Sequence, residues 1–160
     1  MTKFNTISSY DWSVAISKGR EPNAVRVLLT TILLSPFCAH ACDDLRFLSA
    51  IAQVESGNNA KSVSSSGCVS SYQITPQNWA MHTDWPLSDA SDPTKAQVVA
   101  VRHLQWIRSE LAKMPHVGEI DVPALALAWR YGPHGRGNKA SAIDYVSRVK
   151  NILSTTPETK

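Results

Sequence analysis

The sequence has little excess charge and few residues of the kinds that hold metals or contact nucleic acids. Its 160 residues include 16 basic and 13 acidic side chains, a formal net charge of +3. Neither an arginine-rich run nor a basic stripe is present, so the electrostatic footprint of a nucleic-acid-binding protein is missing. Three cysteines and five histidines occur without a CxxC motif or paired histidine spacing. We therefore expect no metal site, no cofactor and no nucleic-acid partner.

Hydrophobic runs long enough to cross a bilayer are also missing. The most apolar stretch, residues 27–37, has eleven residues and is too short to span a membrane comfortably. Four positive charges precede it and Ala39-His40-Ala41 follows it, an order typical of a secretory signal peptide. The alternative, an ordinary core helix, explains neither flank. We predict a leader at residues 1–41 and a periplasmic or secreted protein.

What remains is enough chain for one domain. We assign residues 42–154 to that domain and residues 155–160 to a tail, and 43 % hydrophobic residues suit a globular protein. Thr75-Pro76 and Asp92-Pro93 each join a capping side chain to a proline, which predicts a helix start. The mostly apolar stretch from Val122 to Trp129 predicts a central helix, and a final amphipathic helix presents a face beginning at Ile143. The pattern predicts a mostly α-helical single domain.

A compact amphipathic run at residues 43–57 carries a carboxylate on its apolar face. Two aspartates open the run, where carboxylates favour a helix N-terminus, and a glycine closes it. Leu45, Leu48, Ala52 and Glu55 follow at spacings of three, four and three, so they share one helix face. Burial and the C-terminal end of a helix both disfavour a negative charge. The sequence predicts that Glu55 holds its proton near neutral pH, as a general acid requires.

Further motifs follow in a fixed order. They are Glu55-Ser56, the segment from Ser66 through Ser70-Ser71-Tyr72-Gln73, then Asp92-Pro93, then Ala128-Trp129-Arg130-Tyr131-Gly132-Pro133, and last Tyr145-Val146-Ser147-Arg148-Val149. This set resembles the soluble lytic transglycosylases, the SLT family, which are relatives of goose-type lysozyme. That family shows an E-S pair, a G-A-x-G-L-M-Q-like segment, a D-P step, A-Y-N-A-G-P and Y-V-x-x-V. The resemblance covers roughly residues 44–153.

The resemblance implies a fold and an activity. It implies a lysozyme-like domain, α+β with a minimal β-hairpin or irregular loop, and a substrate groove. It implies cleavage of the MurNAc–GlcNAc β-1,4 bond of peptidoglycan with formation of 1,6-anhydro-MurNAc ends, by Glu55 alone as acid and then base. One alternative is a hydrolytic lysozyme, which needs a second carboxylate such as Asp84 or Asp89. Another is a degenerate, non-catalytic protein that binds glycan or serves in assembly.

The resemblance also assigns substrate-binding roles. Gln73 is expected to hydrogen-bond the sugar, Tyr145 to donate its hydroxyl towards Glu55, and Ser56 to complete the first motif. Departures from the family occur beside them. The family's G-L-M is Ser70-Ser71-Tyr72 here, which makes one groove wall aromatic.

The third motif departs as well. The family's A-Y-N is Ala128-Trp129-Arg130 here. Trp129 can stack on a sugar but lacks the tyrosine hydroxyl, and Arg130 is a long cation in place of an amide. Arg130 either contacts a carboxylate of the substrate or points to solvent.

Cysteine use is consistent with export. If the leader is removed, Cys42 and Cys68 remain, and outside the cytoplasm two such thiols usually pair. A bridge would join the start of the Glu55 helix to the loop before Gln73. The alternative is lipidation of Cys42, which with the leader would be the only membrane attachment. Small relatives serve secretion, conjugation, pilus or phage assembly, and the sequence selects none of these partners.

Overall fold

The computed structural model describes residues 36–115, 120–135 and 138–155. The predicted leader, up to residue 35, and residues 156–160 of the predicted tail lie outside them. Residues from 39 onward belong to one compact unit, and only residues 36–38 of the preceding unit are described. The described residues form five α-helices: α1 Pro36–Ser56, α2 Pro76–His82, α3 Pro93–Ala112, α4 Val122–Tyr131 and α5 Lys139–Thr155. A 3-10 helix, Leu87–Ser91, precedes α3. None of the described helices combines the length and apolarity of a membrane span.

Helix α1 ends as predicted but begins earlier. Its first residue is Pro36, so the prediction that Asp43 and Asp44 open the helix is wrong. Asp44 lies inside the helix, where its carboxylate pairs with the Arg108 guanidinium at 2.6 Å. At the other end Gly57 takes a φ of +64° and donates its N–H to a carbonyl of the last turn. A left-handed residue of this kind terminates a helix, and glycine adopts it without strain.

The core is built around α1. This helix buries residues on several sides, and they are Phe47, Leu48, Ala50, Ile51, Ala52 and Val54. The predicted burial of Leu48 and Ala52 is therefore confirmed. The prediction for Leu45 is wrong, because this side chain is 45 % exposed. The buried side of the helix is centred on Phe47 and Ile51, and Leu45 lies off it.

Helices α2 and α3 begin where the capping side chains predicted. The Thr75 hydroxyl accepts the N–H of Asn78 at 3.1 Å, and the first residue of α2 is a proline. Asp92 accepts the N–H groups of Thr94 and Lys95 at 2.8 and 3.2 Å, and α3 also begins with a proline. These predicted starts are confirmed, since each cap satisfies N–H groups that the helix itself leaves unpaired.

Helices α3 and α5 each turn one side towards the core. In α3 the buried side chains include Val99, Leu104, Ile107 and Leu111, whereas Val98 is exposed. In α5 the side chain of Ile143 is 59 % exposed, so its predicted place on the buried face is wrong. The buried side chains of α5 are Tyr145 and Val149.

An irregular loop links α1 to α2. Isolated antiparallel bridges join Val69 to Val63 and to Ile74, which confirms the predicted irregular hairpin. These bridges are the only β structure among the described residues, and all the longer elements are helices. The Ser56 hydroxyl donates to the Ser71 carbonyl at 2.8 Å. The loop is thus fastened to the end of α1.

Removal of the α3 cap provides a test of this account. Asp92→Ala should lower the free energy of unfolding by about 1 kcal/mol, because two N–H groups lose their acceptor. Chemical denaturation monitored by circular dichroism measures the change. The matched control is Asp84→Ala, an exposed acid outside any helix, which should change stability by less than about 0.5 kcal/mol. Equal effects of the two substitutions would contradict the capping role.

Candidate active site

Glu55 lies in the last turn of α1 with its side chain only 7 % exposed. One carboxylate oxygen accepts the Tyr145 hydroxyl at 2.8 Å, and the other accepts Nη1 of Arg130 at 3.2 Å. The Arg130 side chain is 51 % exposed, so this ion pair contributes about 0–1 kcal/mol to stability. Three helices, α1, α4 and α5, thus place the acid and its two donors together.

Two donors, Tyr145 and Arg130, meet the Glu55 carboxyl group. The proton that the sequence predicted on Glu55 stays a prediction. Burial, and next the neighbouring carboxylate, raise the pKa of Tyr145 above its ordinary value. The Tyr145 hydroxyl therefore keeps its proton and remains a donor to Glu55.

A second contact fixes the main chain beside Glu55. Arg148 donates Nη2 to the carbonyl of Val54 at 2.9 Å. This carbonyl belongs to the last turn of α1, where a cation is favourable. Tyr145 and Arg148 are three residues apart on α5 and therefore share one face. Sequence reasoning missed Arg148, although its spacing from Tyr145 was a usable signal.

Glu55 opens into a cavity of about 310 Å³, here called the Glu55 cavity. Its volume lies in the range of small-molecule sites, roughly 300–1,000 Å³. Four residues predicted to act together line it: Glu55, Gln73, Trp129 and Arg130. The remaining lining residues were not predicted: Ser64, Ser65, Ser66, Cys68, Ile74, Thr75, Asn78 and His103.

Among the described residues that line the Glu55 cavity, Glu55 is the only acid. Asp89, considered as a second carboxylate, pairs with the Lys95 ammonium at 2.6 Å on the surface. Asp84 lines a separate surface pocket together with Trp85. Neither aspartate reaches the cavity, so the described residues provide Glu55 with no carboxylate partner.

Gln73 is placed by a strained turn. Its φ is +51° and that of Ser70 is +71°, a left-handed region in which side chains other than glycine are uncommon. The Gln73 amide nitrogen donates to the carbonyls of Ser70 and Ser62 at 3.0 and 3.4 Å. Both amide hydrogens are thus used within the loop. The amide oxygen is the polar atom that remains for a ligand.

Trp129 is held from two sides. Its indole N–H donates to the Tyr72 carbonyl at 3.4 Å. The His103 ring packs edge-on against the Trp129 ring, with 5.0 Å between the ring centroids. The Trp106 ring stacks on the His103 ring, with 5.3 Å between the ring centroids, and is half-buried. An aromatic ring fixed in this way is suited to stacking on an apolar sugar face.

His103 is the main residue that sequence reasoning missed. It is 4 % exposed, contacts the His82 ring nitrogen at 2.9 Å and lies 3.4 Å from the Asn78 amide. Burial, and next the positive charge that His82 can acquire, lower the pKa of His103 to about 4. His103 follows Val99 at helical spacing, so a polar residue on a buried row was the available signal.

The other predicted residues lie around the cavity. Ser56 does not line it, and its hydroxyl contacts main-chain atoms of α1 and the loop. Tyr72 contributes its carbonyl to Trp129, and burial raises the pKa of its half-buried phenol. Cys68 lines the cavity and is unpaired among the described side chains. The Cys42 side chain lies outside the described ones, so the predicted disulfide and lipidation both stay predictions.

These features define a helical domain with one buried acid in an open, aromatic-walled cavity. The chain belongs to the transglycosylase SLT domain family, whose model matches residues 41–151. Membership confirms the predicted lysozyme-like fold and supports transglycosylase activity on peptidoglycan in general. No curated protein and no solved structure matches the chain significantly.

The neutral His103 ring makes stability depend on pH. Its pKa of about 4 lies below the ordinary 6.5, so the unfolded chain binds the proton first as pH falls. The contribution of the neutral His103 ring to the free energy of unfolding is therefore complete above about pH 6.5 and is lost as the pH falls towards about 4. Between pH 7 and pH 4 the free energy of unfolding of the unmodified protein should fall by roughly 3 kcal/mol more than that of His103→Gln. Urea unfolding at the two pH values measures this difference.

The control for this comparison is His134→Gln, which removes an exposed histidine and should keep the pH dependence of the unmodified protein. Identical pH dependence in His103→Gln and the unmodified protein would contradict the assignment of His103 as a buried neutral ring.

Proposed function

We propose that the protein is a lytic transglycosylase that cleaves the MurNAc–GlcNAc β-1,4 bond and leaves 1,6-anhydro-MurNAc ends. The observation that carries this proposal is that Glu55 is the only acid among the described lining residues of its cavity. Glycosidases that use water normally place two carboxylates beside the bond. A single acid suits a reaction in which the sugar supplies its own nucleophile.

In the proposed reaction Glu55 acts twice. As an acid it gives its proton to the oxygen that links the two sugars, and the bond to C1 of MurNAc breaks. The resulting carboxylate then accepts the proton of the C6 hydroxyl, whose oxygen attacks C1 and closes the anhydro ring. Glu55 ends protonated again and no water is consumed. The acetamido group of the substrate stabilises the positive charge at C1, a substrate-assisted departure from the two-carboxylate pattern.

The neighbours of Glu55 suit this cycle. The Tyr145 hydroxyl, 2.8 Å away, stabilises the carboxylate that forms after the first proton transfer. The Gln73 oxygen is available to an acetamido N–H, and Trp129 offers a ring for stacking beside it. Each of these roles requires the glycan to lie in the Glu55 cavity.

The two alternatives fit less well. A hydrolase would use a water activated by a second carboxylate, and Asp84 and Asp89 both lie outside the cavity. A non-catalytic binding protein would not need the Glu55–Tyr145 hydrogen bond, yet this bond is present beside the changed residues Trp129 and Arg130. The proposed substrate is found outside the cytoplasm, which agrees with the predicted leader and with a periplasmic or secreted location.

Glu55→Gln should abolish activity while keeping the shape of the side chain. We expect release of anhydro-muropeptides from purified sacculi to fall by at least about a hundredfold, because the amide cannot donate the acid proton. Mass analysis of the soluble products measures it. Glu110→Gln, which alters a surface acid on α3, is the control and should release products at the unmodified rate. Retained cleavage in Glu55→Gln would refute the assignment.

Tyr145→Phe tests the donor to Glu55. Loss of a charge-assisted hydrogen bond should lower kcat about tenfold, with little change in KM, because the hydroxyl acts on the carboxylate rather than on binding. Tyr131→Phe is the matched control, since its hydroxyl contacts only Ser141 among the described residues, at 2.9 Å. The idea fails if both variants retain the unmodified kcat.

A further inference from the structure

Arg130 lines the Glu55 cavity at a position where the resembling family has asparagine. Its one hydrogen bond among the described residues runs from Nη1 to Glu55, at 3.2 Å. A guanidinium carries five N–H donors in a rigid fork. Most of its donors are therefore available at the cavity, and the side chain is about half exposed.

The position of this guanidinium does not depend on Glu55 alone. It lies over the Tyr145 ring, with 5.7 Å between the guanidinium carbon and the ring centroid. A cation over an aromatic face is attracted to it. Tyr145 is itself buried and hydrogen-bonded. The cation can therefore keep its place at the cavity while its hydrogen-bond partner changes.

The proposed reaction requires such a change of partner. Glu55 must carry a proton when it acts as an acid, and in that form it offers Arg130 no negative charge. The cavity then has a net positive charge, because Glu55 is its only described acid and the lining residue His103 is neutral at pH 7. Arg148 adds a further cation at the main chain behind Glu55. An anionic group of the ligand would restore the balance.

We propose that Arg130 selects glycan strands that carry a carboxylate near the scissile bond, and that this carboxylate replaces Glu55 as its partner. The exchange leaves Glu55 free to hold its proton, so recognition of the anion and preparation of the acid are one event. An ion pair with a half-exposed guanidinium is weak and therefore easy to exchange, whereas a two-point guanidinium–carboxylate contact is stronger. This inference rests on the proposed function and adds a specificity to it.

Two carboxylates of peptidoglycan have the required chemistry. One is the lactyl carboxylate of MurNAc, which is free where the stem peptide has been removed. The other is a carboxylate of the stem peptide itself. Intact sacculi present the second kind, and strands stripped of their peptides by an amidase present the first. In each preparation a carbodiimide and ammonia convert the carboxylates to neutral amides without changing the sugars.

The experiment measures kcat/KM on these four substrates. For the unmodified protein we expect kcat/KM on at least one preparation to be about tenfold higher before amidation than after it. This ratio corresponds to the free energy of one charge-assisted hydrogen bond. Arg130→Gln should cleave the charged and neutral forms at equal rates, both measurably. Arg130→Lys should keep part of the preference for charged substrates, because lysine retains the positive charge but cannot make a two-point contact with a carboxylate.

Lys113→Gln is the control for net charge, since it removes one exposed cation that does not line the cavity. This variant should keep the full preference. A preference confined to stripped strands would identify the lactyl group, and one confined to intact sacculi would identify the stem peptide.

An equal preference in Arg130→Gln and the unmodified protein, or none in either, would overturn the inference. That result leaves the proposed function standing if anhydro ends still form. Failure of the proposed function is a different result, in which the unmodified protein forms no anhydro ends on any of the four substrates.

Discussion

The hydrogen bond between the Tyr145 hydroxyl and the Glu55 carboxylate is the contact on which the rest of the site depends. It joins residues 90 positions apart, at 2.8 Å, and it requires α5 to pack on the end of α1. Arg148 fastens the same two helices through the Val54 carbonyl. A carboxylate that is 7 % exposed needs such partners, because burial without them is costly. The burial of Glu55 and the packing of α5 on the end of α1 therefore depend on each other.

Hydrogen bonds and ring contacts between protein side chains hold the cavity in shape. The Ser56 hydroxyl fastens the loop that carries Gln73, and His103 with Trp106 supports the ring of Trp129. These contacts are local and mostly polar, and they use serine, histidine and main-chain carbonyls. The lining can thus differ from the family pattern at Trp129 and Arg130 while the acid keeps its place.

Sequence patterns predicted what local chemistry determines. Proline and capping side chains located the starts of α2 and α3, the apolar stretch from Val122 located α4, and glycine located the end of α1. Patterns failed where packing decides. Helix α1 begins at Pro36, ahead of the two aspartates, and Leu45 and Ile143 are exposed although they are apolar. Motif order identified the family and the convergence of Glu55, Gln73 and Trp129, but spacing cannot reveal that Arg130 would contact Glu55. His103 was missed because an apolar pattern does not include a histidine, even one at helical spacing from the buried Val99.

The central claim is that one carboxyl group completes the reaction without water. The most direct measurement is digestion of sacculi in ¹⁸O-labelled water, followed by mass analysis of the released muropeptides. The account predicts products that lack the label and are lighter than hydrolytic products by one water molecule. Products that carry ¹⁸O at a reducing MurNAc end would contradict it, because they would require an activated water in a cavity where Glu55 is the only described acid.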